Sequence, residues 1–178
     1  MSVEERTKTL AHYIITRCEP SRLGATRLNK VMWFADLEHY RRTGRTVSGQ
    51  TSYEKRQFGP VPNGILPALD ALRNERAIHW RHEPTPAGAR REFVWLEPAD
   101  ITDFTADEID VVNEALEWVC GRSARTVSDM THDALWDEVD LGAQIHIGAA
   151  SVTPGEVLPE DMEWALGALD GMEPEHAS

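Results

Sequence analysis

The sequence predicts a mainly α (α+β) fold, a compact helical domain that carries one small β-hairpin. The chain has 178 residues, 41% of them hydrophobic and 27% charged, which is the size and composition of one globular domain. Apolar residues recur at three- and four-residue intervals in several segments, as they do in amphipathic helices. One pair of segments rich in β-formers flanks a proline- and glycine-containing turn, which indicates a hairpin.

Two helices are predicted near the start of the chain, over residues 3–18 and 27–42. The second is the most hydrophobic helix in the sequence, so we expect it at the centre of the core. Thr26 is its predicted N-cap. Two arginines and then Gly44 end it, because cations and a glycine are favoured at a helix C-terminus.

Residues 45–61 are predicted to be irregular, with a short extended stretch over residues 51–58. Pro60 and Pro62 exclude a central strand, because proline lacks the N–H that a strand must donate. Pro62 is the expected first residue of a helix that runs to about residue 74. The predicted apolar face of this helix comprises Ile65, Leu66, Leu69 and Leu72.

The predicted hairpin pairs residues 77–82 with residues 91–96 across a long basic tip. A helix follows over residues 105–120, where Thr105 and Glu108 have the spacing of a capping box. The remaining predicted elements are a short helix at 123–130, one or two turns at 132–140, an extended segment at 145–150 and a final helix at 159–169. Residues 1–150 are expected to form the domain. Residues 151–178 are expected to form an acidic C-terminal helix and frayed tail that pack on this domain or extend it.

Charge is divided unevenly along the chain. Residues 1–91 carry 16 Lys/Arg against 9 Asp/Glu, whereas residues 92–178 carry 2 Lys/Arg against 21 Asp/Glu. The two halves therefore attract each other or attract different partners. The acidic half is either a solvated surface or a face for a basic protein. The basic half is either paired with the acidic half or a nucleic-acid site.

No motif of known catalytic or metal-binding chemistry stands out, so we expect a protein that is not an enzyme and uses no metal or cofactor. Cys18 and Cys120 are too few and too far apart for the common zinc sites, and we expect two buried thiols rather than a disulfide. The apolar runs are too short to span a membrane and the first residues do not resemble a secretory signal. These features predict a cytoplasmic protein.

A combination of motifs is more specific than any one of them. Residues 28–35 (LNKVMWFA) precede residues 43–45 (TGR) and then residues 58–61 (FGPV). Residues 127–132 (VSDMTH) are followed by residues 135–136 (LW). With these motifs the chain resembles, over about residues 5–150, the Panacea domain of SocA-like antitoxins. It departs from the family at Val31-Met32-Trp33, where members carry Leu-Leu-Tyr, and the hairpin and the acidic tail are expected to be particular to this branch.

The resemblance implies an antitoxin that neutralises a toxin protein encoded next to it by direct binding. Delivery of the toxin to an energy-dependent protease is a further implied role. Members of the family are similar to one another although their neighbouring toxins are unrelated, so the sequence does not identify the partner.

The residues that match the family motifs divide into two groups. We expect five of them, which lie in or beside segments predicted to be irregular, to contact the toxin: Tyr53, Lys55, Arg56, Phe58 and Trp136. For Trp136 a structural role carries more weight. We expect the others to be mainly structural: Lys30, Trp33, Phe34, Gly44, Gly59, Pro60, Val61 and His132.

An alternative function is open. Three helices followed by a hairpin over residues 3–96 is also the order of a winged-helix domain, which predicts a DNA-binding autorepressor with Arg81, Arg90 and Arg91 on the wing. The third helix is poor in side chains that reach base edges, which weighs against this alternative. Both functions concern residues 1–96 and therefore compete for the same surface.

Overall fold

The computed structural model describes residues 1–85, 88–122, 126–127 and 134–152. The predicted helix at 159–169 and the acidic tail lie outside these residues, as does most of the predicted helix at 123–130. The elements are, in order, α1 (Val3–Thr16), α2 (Ala25–Thr43), β1 (Ser52–Arg56), β2 (Gly59–Pro62), α3 (Ile65–Asn74), β3 (Ile78–Thr85), β4 (Gly88–Trp95), α4 (Ala106–Cys120), α5 (Ala134–Glu138), β5 (Gln144–His146) and α6 (Ile147–Ser151). The predicted mainly helical α+β class is confirmed.

Helix α2 lies at the centre of the core, as its apolar sequence predicts. Leu28, Val31 and Met32 are fully buried, and α1, α4, α6 and β2 all pack against this helix. It ends where predicted, at Gly44, whose φ of 72° is a left-handed conformation that glycine adopts without strain. The predicted N-cap is wrong, because Gly24 rather than Thr26 occupies that position.

The strands form two antiparallel sheets, one of which the sequence analysis missed. Strands β2, β1 and β5 form a three-stranded sheet in that order. Strand β1 lies within the stretch predicted to be extended, at 51–58, but the prediction that residues 59–61 are irregular is wrong, because they pair with β1 as part of β2. Pro60 and Pro62 lie in β2 at the edge of the sheet, where a missing N–H costs no ladder hydrogen bond. Because Pro62 ends β2, α3 begins at Ile65, three residues later than predicted.

The predicted hairpin is confirmed as β3 and β4, with longer strands and a shorter tip than expected. The strands pair from Ile78 opposite Trp95 to Thr85 opposite Gly88. Ile78 and Phe93 are buried against the helical core. The capping box of α4 is also confirmed: the Glu108 N–H donates to Thr105 Oγ1 over 3.2 Å, and the Thr105 N–H donates to Glu108 Oε2 over 2.9 Å.

A fully buried carboxylate joins α2 to the loop that follows it and to β1. Asp36 Oδ1 accepts the Ser48 N–H over 2.8 Å, and Oδ2 accepts the Tyr53 hydroxyl over 2.7 Å. The Ser48 hydroxyl also donates to Oδ2. Burial raises the pKa of Asp36 to about 6, although the hydrogen bonds from Ser48 and Tyr53 favour the charged form. The loss of hydration therefore raises the pKa of this carboxyl group by more than the hydrogen bonds lower it.

We predict that Asp36 makes the protein less stable as the pH rises from about 4 to about 6. Its pKa of about 6 in the folded protein lies above the value of about 3.9 in an unfolded chain, so the folded state binds the proton more tightly. The stabilisation from protonation is complete below pH ~4 and lost above pH ~6. Urea denaturation of the wild type and Asp36→Asn should show the variant gaining about 2–3 kcal/mol relative to the wild type between pH 4 and 7.

Asp70→Asn is the matched control, because Asp70 is an exposed carboxylate on α3. The stability difference between Asp36→Asn and the wild type is compared with that of Asp70→Asn at each pH. A difference for Asp36→Asn that does not change with pH would show that burial does not perturb this carboxyl group.

Candidate partner-binding surface

The turn between β1 and β2 holds an aromatic side chain out of the protein. Phe58 is 62% exposed, and Gly59 after it has a φ of 130°, a conformation that residues with a Cβ rarely adopt. Pro60 and Pro62 then restrict the backbone of β2. Because β2 pairs with β1 along its length, the backbone of the turn that carries Phe58 is supported by a sheet.

Two adjoining clefts lie beside this turn. The smaller, of about 100 Å³, is lined by Phe58, Pro60 and Val61 together with the first turns of α2. The larger, of about 460 Å³, continues from Val61 to Leu66 on α3 and to Arg91 on β4. Leu66 is 62% exposed. We name the set Arg56, Phe58, Val61, Leu66 and Arg91 the turn surface.

The turn surface combines apolar side chains with cations. Arg56 lines both clefts and forms a 2.9 Å ion pair with Glu54 Oε1, and both side chains retain contact with solvent. Such an exposed pair holds its partners weakly. The Arg91 guanidinium lies 5.0 Å from the centre of the Trp80 ring. Both arginines can therefore meet carboxylates of a partner while its apolar groups enter the clefts.

The structure separates the five predicted contact residues. Arg56 and Phe58 lie on the turn surface. Tyr53 does not lie in an irregular segment: it is in β1 and 0% exposed, so it presents no accessible surface to a partner in this structure. Burial, together with the neighbouring Asp36 carboxylate, raises the pKa of Tyr53 well above its usual value. The buried ring also meets the Trp33 ring edge-on, with 5.1 Å between the ring centres.

Lys55 and Trp136 contact each other inside the protein. The Lys55 ammonium donates to the carbonyl oxygen of Trp136, and to that of Val139 over 2.7 Å. It also lies 4.7 Å from the centre of the Trp136 ring, whose residue is only 7% exposed. These contacts attach α5 and the residue after it to β1, so both side chains stabilise the fold in this structure.

The remaining motif residues lie mostly around α2. Lys30 and Trp33 are buried, and the Phe34 ring lies 4.7 Å from the Trp118 ring, centre to centre. Gly44 ends the helix, and Gly59, Pro60 and Val61 shape the turn surface. His132 lies outside the described residues.

The sequence places Leu66 on a buried face and Arg91 on a DNA-binding wing, whereas in the structure both residues line the larger cleft of the turn surface. Leu66 was placed on the apolar face of α3, but Ile65, Leu69 and Leu72 are the buried leucine and isoleucine residues of that helix. Their spacing of four and three residues defines one face, and Leu66 falls about 100° away from Ile65 around the helix axis. The spacing of these residues in the sequence therefore indicates that Leu66 lies outside the buried face. Arg91 approaches the larger cleft because of the way in which β4 packs, and no local sequence pattern predicts that packing.

The basic hairpin is partly neutralised by its own residues. Arg81 Nη2 lies 3.1 Å from Glu92 Oε2, and Arg90 also pairs with this buried carboxylate. The hydrogen bonds from Arg90 and then Arg81 lower the pKa of Glu92. Two of the three arginines of the predicted DNA-binding wing are therefore engaged within the hairpin.

The described part of the chain shows neither a metal site nor a membrane span. There, no cluster of three or more His, Cys, Asp or Glu side chains is arranged to hold a metal ion. No helix in this part is both long enough and apolar enough to cross a membrane.

Comparison with known proteins gives a family match. The family model described as "Antitoxin SocA-like, Panacea domain" matches residues 28–137, which is more than half of the chain and includes the whole turn surface. No curated protein and no solved structure matches the chain.

We predict that two adjacent residues of β1 differ in their importance for stability. Lys55→Ala removes two hydrogen bonds from a charged group and a cation–π contact, and should lower the free energy of unfolding by about 2 kcal/mol. Arg56→Ala removes an exposed ion pair and should change it by less than about 0.5 kcal/mol. Chemical denaturation measures both. Equal losses would contradict the assignment of Lys55 to the fold and Arg56 to the surface.

Proposed function

This chain belongs to the SocA-like antitoxin family of the Panacea domain, and we propose that it neutralises a toxin protein encoded next to it by binding that protein directly through the turn surface. The observation that carries the proposal is Phe58, an aromatic side chain held 62% exposed at a supported turn. Aromatic and arginine side chains dominate the energy of protein interfaces, above all where they border an apolar pocket. Phe58, Arg56 and Arg91 supply these groups beside the two clefts.

The composition of the turn surface defines the partner by its chemistry. The clefts accept one or two apolar side chains, and the arginines at their edges favour carboxylates around those side chains. We therefore expect the toxin to present an apolar anchor within an acidic rim. Charge complementarity of this kind mainly accelerates association, whereas the buried anchor sets the lifetime of the complex.

Several finer expectations belong to this proposal. The chain acts by binding and not by catalysis, and it acts in the cytoplasm where its toxin is made. The family resemblance adds delivery of the bound toxin to an energy-dependent protease. The half-life of the toxin in cells separates the two modes, because capture alone leaves toxin levels unchanged whereas delivery shortens the half-life.

Operator binding by the hairpin is the alternative function. It requires free cations on the wing, and the pairing of Arg81 and Arg90 with Glu92 weighs against it. A DNA-binding protein of this kind would lose affinity steeply as salt is added, because each phosphate contact releases counterions.

We predict that a carboxylate at position 58 abolishes neutralisation without unfolding the protein. The neighbouring gene is expressed alone, with the wild type, and with Phe58→Asp, and surviving cells are counted. We expect the wild type to rescue growth. The variant should fail, because an aspartate at the centre of the interface weakens toxin binding at least ~10-fold, or about 1.4 kcal/mol.

The matched control is Leu96→Asp. Leu96 is 52% exposed but follows β4 outside the turn surface, so this variant should rescue growth like the wild type. Circular dichroism checks that both variants are folded. Full rescue by Phe58→Asp would exclude the turn surface, and failure of the wild type to rescue would contradict the antitoxin role itself.

A further inference from the structure

The two cysteines of the chain lie side by side in the fold. Cys18 follows α1 and Cys120 ends α4, yet their Sγ atoms are 3.3 Å apart and both thiols are free. The sequence analysis predicted free thiols but not their proximity, because 102 positions separate them in the chain. These are the only cysteines among the 178 residues, so each thiol has one partner within the molecule.

Two arginines, Arg22 and Arg27, lie near this thiol pair. Arg22 Nη2 donates to the Cys120 carbonyl oxygen over 2.9 Å, and Arg27 Nη1 donates to the Arg22 carbonyl oxygen over 2.7 Å. Within the described residues, Arg27 Nε is buried without a hydrogen-bond partner. In the same part of the chain, no carboxylate forms an ion pair with either arginine. Their positive charge therefore favours a thiolate.

The two thiols differ in acidity. The hydrogen bond from the Cys18 thiol lowers the pKa of Cys120 to about 7, and Arg27 and Arg22 act in the same direction. The same hydrogen bond and burial raise the pKa of Cys18, which keeps its proton. Cys120 is also the more exposed of the two, since it is partly buried whereas Cys18 is buried. Cys120 is thus the accessible nucleophile and Cys18 the thiol behind it.

We propose that Cys18 and Cys120 form a redox-active dithiol site that a hydroperoxide converts to an intramolecular disulfide. The proposal rests on the proximity of the two sulfur atoms and on the cations beside them. Their separation of 3.3 Å must shorten to about 2.05 Å in a disulfide. This requires a shift of about one ångström at the ends of α1 and α4, where helices yield most readily.

The reaction has two balanced steps. The Cys120 thiolate attacks the terminal oxygen of the hydroperoxide, the O–O bond breaks, and the departing alkoxide takes a proton from water to leave as an alcohol. Cys120 then carries a sulfenic acid. The Cys18 sulfur attacks the Cys120 sulfur, the S–O bond breaks, and hydroxide leaves with the Cys18 proton as water. Two thiols are oxidised to one disulfide while the peroxide is reduced to one alcohol and one water.

The test is mass spectrometry of the full chain after brief exposure to hydrogen peroxide. Denaturation in N-ethylmaleimide then alkylates any free thiol. We expect a monomer lighter by two hydrogen atoms that takes up no maleimide. After trypsin, residues 18–22 should be joined to residues 92–122, the peptides that carry Cys18 and Cys120. Closing a loop of about 100 residues should also raise the unfolding temperature by roughly 10 °C.

Two serine variants assign the order of the steps. Cys18→Ser should accumulate a sulfenic acid at Cys120 that dimedone traps, whereas Cys120→Ser should react with peroxide at least ~10-fold more slowly. Neither variant should show the rise in unfolding temperature. The proposal is overturned if the oxidised wild type takes up two maleimides, if it carries only sulfinic or sulfonic acid, or if its disulfides join separate chains.

Discussion

The hydrogen bonds to the buried carboxylate of Asp36 are the interaction on which the rest of the structure depends. They join the central helix α2 to the loop at Ser48 and to Tyr53 in β1. Because β1 is the middle strand of its sheet, its position fixes β2 and β5. The position of β2 fixes the turn that carries Phe58. A buried polar group is costly unless it is satisfied, and here three donors on two segments must be in place together.

The sequence predicts the parts of the fold that depend on local patterns. Helices α2 and α4 and the hairpin β3–β4 follow from periodicity, capping residues and turn composition. The sheet of β2, β1 and β5 does not, because its strands have three to five residues. In addition, β5 pairs with β1 from about 90 positions further along the chain. Without this distant pairing, the sequence does not distinguish buried Tyr53 from exposed Phe58, because both are aromatic and only five positions apart.

Ion pairs join the basic first half of the chain to the acidic second half. Arg6 pairs with Glu108, and Arg42 with Glu114 over 2.9 Å, so basic residues of the first half meet carboxylates of the second at α4. These contacts account for part of the attraction that the sequence predicts between the halves. Arg56 and Arg91 of the basic half remain on the turn surface. Direct binding at the turn surface therefore favours a partner that carries acidic groups. The sequence alone also allowed a basic partner, bound by the acidic half.

The most direct test of the account is amide hydrogen exchange of the chain, alone and bound to the protein encoded next to it. We expect binding to slow exchange over residues 57–67, which include the β1–β2 turn and the start of α3, and at the first turns of α2. Exchange in the hairpin β3–β4 near its tip should not change. Slowed exchange confined to that tip or to α4, with the β1–β2 turn unaffected, would contradict the central claim that Phe58 and its neighbours bind the toxin.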